Sequence, residues 1–179
     1  MMTDASVSRD MRGGIKRFDK NLHALTDKKG KTAFLSYLDR VYLDSGHRNI
    51  ENPNRYGIDV LTLNSDDLVV NAWEIEVRLC NWVGDLPFRY SSMNCLERKE
   101  YMWRKTKEFI DKIPFKLHTG CKVTYVQLNN LCNRAAMVDG DVILEYPRVR
   151  TVNKFRTEEY VRKVPINRVT QIKLGESNV

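Results

Sequence analysis

The chain has 179 residues, 42% of them hydrophobic and 30% charged, enough for one domain with a core and a well-solvated surface. No run of about 18 apolar residues occurs, which argues against a membrane-spanning helix, and the polar stretch from Met1 to Asp10 lacks the apolar core of a secretory leader. Thirty Lys and Arg against 23 Asp and Glu leave a net charge of +7, a balance that favours polyanionic partners, nucleic acid first among them.

Residues 1–14 read as a polar arm ending in Gly13–Gly14, and residues 15–179 as a single domain. From Ile15 to Leu25 the apolar residues Ile15, Phe18, Leu22 and Leu25 recur at helical spacing, with Lys16, Arg17 and Lys20 on a solvated face. Asp27–Lys28–Lys29–Gly30 breaks the pattern. A second helix fits Thr32 to Leu43, with Phe34, Leu35, Leu38, Val41 and Tyr42 on its core stripe, stopped by Ser45–Gly46. A polar loop with Pro53 inside follows, to Gly57. The period then changes to two: Ile58 to Leu63 reads as a strand, Asn64–Ser65–Asp66–Asp67 as a turn, and Leu68 to Leu79 as a second strand of the same hairpin.

Asn81 to Arg89 is loop-like, and Ser92 to Leu96 a short strand. Glu97 to Ile113 is a charged and aromatic helix ended by Pro114. Lys122 to Leu128 alternates as a strand, and Asn129–Asn130 turns the chain. Ala135 to Tyr146, interrupted at Asp139–Gly140, suggests a hairpin. Arg148 to Lys163 is strongly basic, and Val164 to Leu174 closes the chain as a strand. The sum is an α/β protein: a mixed central sheet flanked by helices, with a C-terminal β extension.

The cysteines Cys80, Cys95, Cys121 and Cys132 form no C-x-x-C pair, and His23, His47 and His118 are scattered. The expectation is reduced thiols in a cytoplasmic protein, with neither a zinc site nor a disulfide framework.

The second strand carries the chemistry. Trp73, Ile75, Val77 and Leu79 alternate with Ala72, Glu74, Glu76 and Arg78, so two acids and a cation share one face. Asp59 lies between apolar Ile58 and Val60, where a carboxylate needs a cation, a metal or water at an edge. If the strands pair, Asp59, Glu74 and Glu76 converge as hard oxygen ligands suited to Mg²⁺ or Mn²⁺. The alternative is the wet face of a two-stranded sheet, on which such charges are common.

A helix, an Asp-bearing strand, a turn and a Glu-x-Lys strand resemble the PD-(D/E)XK, or restriction-endonuclease-like, nuclease superfamily. Here the motif stands as Gly57–Ile58–Asp59 and Glu76–Val77–Arg78. Phage and microbial members look similar further on: Glu74–Ile75–Glu76–Val77–Arg78, then Trp82, the apolar loop Asp85–Leu86–Pro87–Phe88, and Arg98–Lys99. The resemblance covers roughly residues 30–130. It implies a restriction-endonuclease-like core and metal-dependent DNA hydrolysis, with Asp59 and Glu76 as metal ligands and Glu74 as an accessory carboxylate. Arg78 stands where the family has lysine, and its permanently charged planar fork is a poor base. Either Lys99 supplies the missing ammonium, or the site is weak or inactive and the fold serves nucleic-acid binding or a viral assembly in the host cytoplasm.

Two basic clusters are candidate nucleic-acid contacts. Arg98, Lys99, Arg104, Lys105 and Lys107 surround Tyr101 and Trp103. Arg148, Arg150, Lys154, Arg156, Arg162, Lys163 and Arg168 interleave with Tyr146, Phe155 and Tyr160. Cations meet phosphate and aromatics stack on unpaired bases, although solvated cations over core aromatics would give the same pattern. DNA is the expected partner, with a homo-oligomer or a viral protein as further partners.

Overall fold

The computed structural model describes residues 7–9, 15–17, 20–78, 82, 84, 87–152 and 158–175, with side chains from residue 24 onward. A long helix, α1 (Lys20–Val41), follows a short antiparallel ribbon of β1 (Val7–Arg9) and β2 (Ile15–Arg17). The chain then runs as an antiparallel meander through β3 (Arg48–Glu51), β4 (Val60–Leu63) and β5 (Val69–Arg78). The connection from β5 passes through β6 (Ser92–Leu96), a 3₁₀ turn at Glu97–Lys99, α2 (Glu100–Trp103) and α3 (Lys107–Asp111). It returns as β7 (Leu117–Asn129), which pairs parallel to β5. The chain continues through β8 (Arg134–Asp139), α4 (Gly140–Leu144), β9 (Arg148–Val152), β10 (Glu158–Pro165) and β11 (Thr170–Lys173).

Six strands form one mixed sheet in the order β11–β8–β7–β5–β4–β3, so β5 is interior and needs cover on both faces. Its alternation divides the core. Trp73 and Ile75 pack with Phe34 and Leu38 of α1 and with Val126 and Leu128 of β7. Ala72 faces the other way, into a cluster of Met93, Cys95, Met102, Trp103, Tyr125 and Val164. That second layer is built from α2–α4 and a three-stranded antiparallel sheet, β6–β10–β9. The fold is therefore mixed α/β, with helices against the central sheet and a C-terminal β layer.

Several expectations need correction. One helix replaces the two expected across 15–43, and Ile15–Arg17 is strand. Gly30 does not break α1. It is buried where the helix crosses the sheet, and a Cβ there would stand 2.5 Å from Val77 Cγ2 and 3.2 Å from Leu128 Cδ1. The expected loop after Gly46 contains β3, whose polar sequence suits an edge strand bonded on one side only. The helix expected over 97–113 is split at Arg104–Thr106, where Lys105 adopts a φ of 49°. Beyond Asp139 the chain enters α4 rather than a hairpin, because Gly140 lets α4 approach Trp103 closely: a Cβ would lie 3.0 Å from that residue's Cβ. Val164 belongs to β10, and the last strand is Thr170–Lys173. The Asn64–Asp67 turn forms as expected, with Asn64 Oδ1 accepting from the amides of Asp66 and Leu68. No helix among the described residues is long and apolar enough to cross a membrane.

Candidate functional site

Asp59 directly precedes β4. The register Val60–Trp73, extended by one residue, sets it against Glu74 on β5. Its side chain is fixed from two sides: Oδ2 accepts from the Ile75 amide at 2.8 Å, and Oδ1 lies 2.8 Å from Lys31 Nζ of α1. The cation demanded by an acid among apolar neighbours thus comes from the helix. Lys31 remains charged: burial pulls its pKa down, but Asp59 outweighs this and raises it.

Glu74 is 4% exposed, at the heart of the sheet, so it does not line a wet two-stranded face. Its Oε1 contacts the Lys99 ammonium, delivered by the 3₁₀ turn after β6. Its Oε2 is buried without a hydrogen-bond partner among the described residues. Burial, and then repulsion from Asp59, push the Glu74 carboxyl up to about 7, against the pull of Lys99.

Glu76, two residues on, has different partners. The Tyr125 hydroxyl donates to Oε2, and Arg78 Nη1 lies 3.4 Å from Oε1. Tyr125 is buried, and burial followed by the nearby Glu76 charge holds its phenol well above the usual range, so it stays a donor. Gln127 supports this group, donating to Tyr125 Oη at 3.3 Å and to the Asn94 carbonyl at 3.0 Å. The structure therefore brings together Asp59, Glu74 and Lys99, and sets Glu76 with Arg78 beside them. Among the described residues, no three His, Cys, Asp or Glu side chains converge as a metal-holding group. Asp59 is near enough for its charge to raise the Glu74 carboxyl, and Glu74 keeps one buried oxygen without a partner among the described residues; carboxylate oxygens are the chemistry that a hard divalent cation takes.

The expected nucleic-acid contacts divide. Arg98 is exposed and lines a cleft of about 450 Å³ with Arg148, Tyr160, Leu96 and three glutamates. Arg104 and Arg148 are engaged by buried Glu100, at 2.6 and 3.1 Å, as is buried Arg162 at 3.1 Å. Burial alone would raise the Glu100 carboxyl, but these guanidiniums lower it to about 2. Arg150 pairs with Glu158, and Lys105 is half-buried. Trp103 is buried and Tyr101 lies beneath Lys112, 4.7 Å from ring centre to Nζ, whereas Tyr160 is 49% exposed. Lys154, Phe155 and Arg156, like Cys80 and Leu79, lie outside the described residues. Cys95, Cys121 and Cys132 are free, buried thiols.

Comparison with known proteins gives no match. No family model, no curated protein and no solved structure matches the chain. The site thus stands on its own geometry. Sequence reading missed Lys31, although a lysine three and seven residues before Phe34 and Leu38 sits on the core stripe of one helix, which is itself a signal. It also missed Tyr125 and Gln127, whose polar side chains share a strand face with Val123.

Proposed function

We propose that the chain is a metal-dependent phosphodiesterase acting on DNA, with Asp59, Glu74 and Lys99 at its centre. The observation that carries this reading is the buried, half-unpartnered Glu74 facing Asp59 and Lys99. The order α1, Asp59 at the entry to β4, turn and Glu-bearing β5 supports it, being close to the order that the nuclease resemblance implies.

Asp59 and Glu74 would hold the cation. Bound there, Mg²⁺ or Mn²⁺ supplies Lewis acidity toward phosphate and a more acidic water. Because Lys99 occupies Oε1, the unpartnered Oε2 of Glu74 is the oxygen that would turn to the cation. Lys99 holds Oε1 and places positive charge where the phosphate gains negative charge. Arg78 is a fixed charge on Glu76 and serves positioning. Incubating the protein with linear, nicked and single-stranded DNA, in Mg²⁺ or Mn²⁺ against EDTA, tests the proposal. Cleavage confined to the metal lanes and lost in Asp59→Asn supports it; intact DNA in every lane rejects it.

A second reading is a non-catalytic DNA-binding module. It is favoured by the partner that each acid already has: Lys31 for Asp59, Lys99 for Glu74, and Tyr125 with Arg78 for Glu76. Salt-sensitive DNA binding without cleavage, unchanged in Asp59→Ala and Glu76→Ala, distinguishes it.

A further inference from the structure

Beside Asp59 opens a second cleft, of about 320 Å³, lined by two cations, Lys31 and Arg55, two acids, Glu51 and Asp59, and the amides Asn52 and Asn54. This volume lies at the small end of ligand clefts, about 300–1,000 Å³, and admits one nucleotide rather than a duplex. Two cations reach it. Lys31 is held at Asp59, with Glu51 3.9 Å away. Arg55 is exposed, and no carboxylate among the described residues lies within ion-pair distance of it. Its guanidinium stacks over the Tyr56 ring, 4.7 Å from the centroid, and Nη2 donates to Tyr56 Oη at 2.5 Å.

Tyr56 is nevertheless 68% exposed, so much of its aromatic surface stays open to solvent. The loop that carries the pair is fixed by its own asparagines. Asn52 Oδ1 accepts from the Asn54 amide at 3.0 Å, Asn54 Oδ1 from the Tyr56 amide at 3.1 Å, and the Asn54 carbonyl from the Gly57 amide at 2.9 Å. The loop therefore presents the Arg55 guanidinium on the wall of the cleft, next to the candidate acid, with the exposed Tyr56 ring lying outside that wall against the guanidinium.

We propose that this cleft is a subsite for one nucleotide of an unpaired DNA strand, its phosphate on Arg55 and Lys31 and its base stacked on Tyr56. A paired base has both faces covered by its neighbours and cannot stack on a side chain without leaving the helix. The subsite thus selects single-stranded or frayed DNA for the adjoining centre. It rests on the DNA reading of that centre, but not on catalysis.

Fluorescence anisotropy in EDTA, with labelled dT₁₂ and a blunt hairpin duplex as probes, tests the subsite on the full chain. Tyr56→Ala is expected to weaken dT₁₂ binding about tenfold, within the range for one stacked base, while Tyr56→Phe and duplex binding change less than about twofold. Arg55→Ala is expected to reduce the salt slope of dT₁₂ binding by about 0.7, the share of one phosphate on a single strand. Both side chains are exposed, and matching thermal melts verify that the variants fold. The proposal is overturned if wild-type protein does not bind dT₁₂, if Tyr56→Ala binds it unchanged, or if both probes weaken equally. Tyr56-dependent binding without cleavage in Mg²⁺ rejects the hydrolase and leaves the subsite standing. Cleavage with Tyr56→Ala binding dT₁₂ like wild type rejects the subsite alone.

Discussion

Lys99 satisfies only half of Glu74. Its ammonium contacts Oε1, while Oε2 lies buried without a hydrogen-bond partner among the described residues. An unpaired carboxylate oxygen in a sheet interior is destabilising, and such a cost is commonly retained where the group has chemistry to perform.

Replacing Lys99 by methionine removes this cation from the centre of charge development. Under the hydrolase reading, kcat at pH 7.5 falls by about 100-fold or more, the size seen when a preorganised electrostatic donor is deleted. Lys99→Arg retains more activity than Lys99→Met. Single-turnover cleavage checks both; equal rates for wild type and Lys99→Met remove Lys99 from the mechanism.

Glu74 links stability to pH. Burial, then Asp59, raise its carboxyl from 4.5 to about 7 in the fold, so the native state binds a proton more tightly than the unfolded chain. Its contribution is fully present below pH 4.5 and is lost as pH rises toward 7. In metal-free buffer, Glu74→Gln is expected to remove this decline, because an amide does not ionise across this range. Thermal melts of both proteins across pH 4–8 measure the difference.

Glu100 has the opposite sign. Three guanidiniums outweigh its burial and lower its carboxyl from 4.5 to about 2. Its stabilisation is present above pH 4.5 and is lost as pH falls toward 2. Glu100→Ala leaves Arg162 buried without its carboxylate and is expected to cost about 2 kcal/mol, less than a fully buried pair because Arg104 and Arg148 reach water. Urea unfolding at pH 7 measures this loss; an unchanged midpoint contradicts the hub.

At Gly30, alanine gains about 1 kcal/mol of helix propensity, yet its methyl group meets Val77 and Leu128. Overpacking of about 1–3 kcal/mol opposes and exceeds that gain, so Gly30→Ala is expected to lower Tm. A raised Tm would show that α1 shifts freely over the sheet.

The Glu74–Arg78 alternation was legible because it is local: period two fixed which side chains share a face, and the Asn64–Asp67 turn fixed the hairpin. Lys31 was not, because Gly30 reads as a break in one dimension and as a close crossing in three. The choice between Glu74 and Glu76 was equally hidden. Both occupy the same face, and what separates them is Tyr125 of β7 on Glu76 and Lys99 on Glu74, contacts made by strands and turns distant in sequence. The basic clusters were legible as charge but not as availability, since Glu100 and Glu158 engage several of their arginines.

Calorimetric titration of Mn²⁺ into wild type, Asp59→Asn, Glu74→Gln and Glu76→Gln tests the centre most directly. Saturable binding is expected, weakened by about tenfold or more when either Asp59 or Glu74 is changed, and much less when Glu76 is. Absence of binding to the wild type, or a loss as large in Glu76→Gln as in Glu74→Gln, would contradict it.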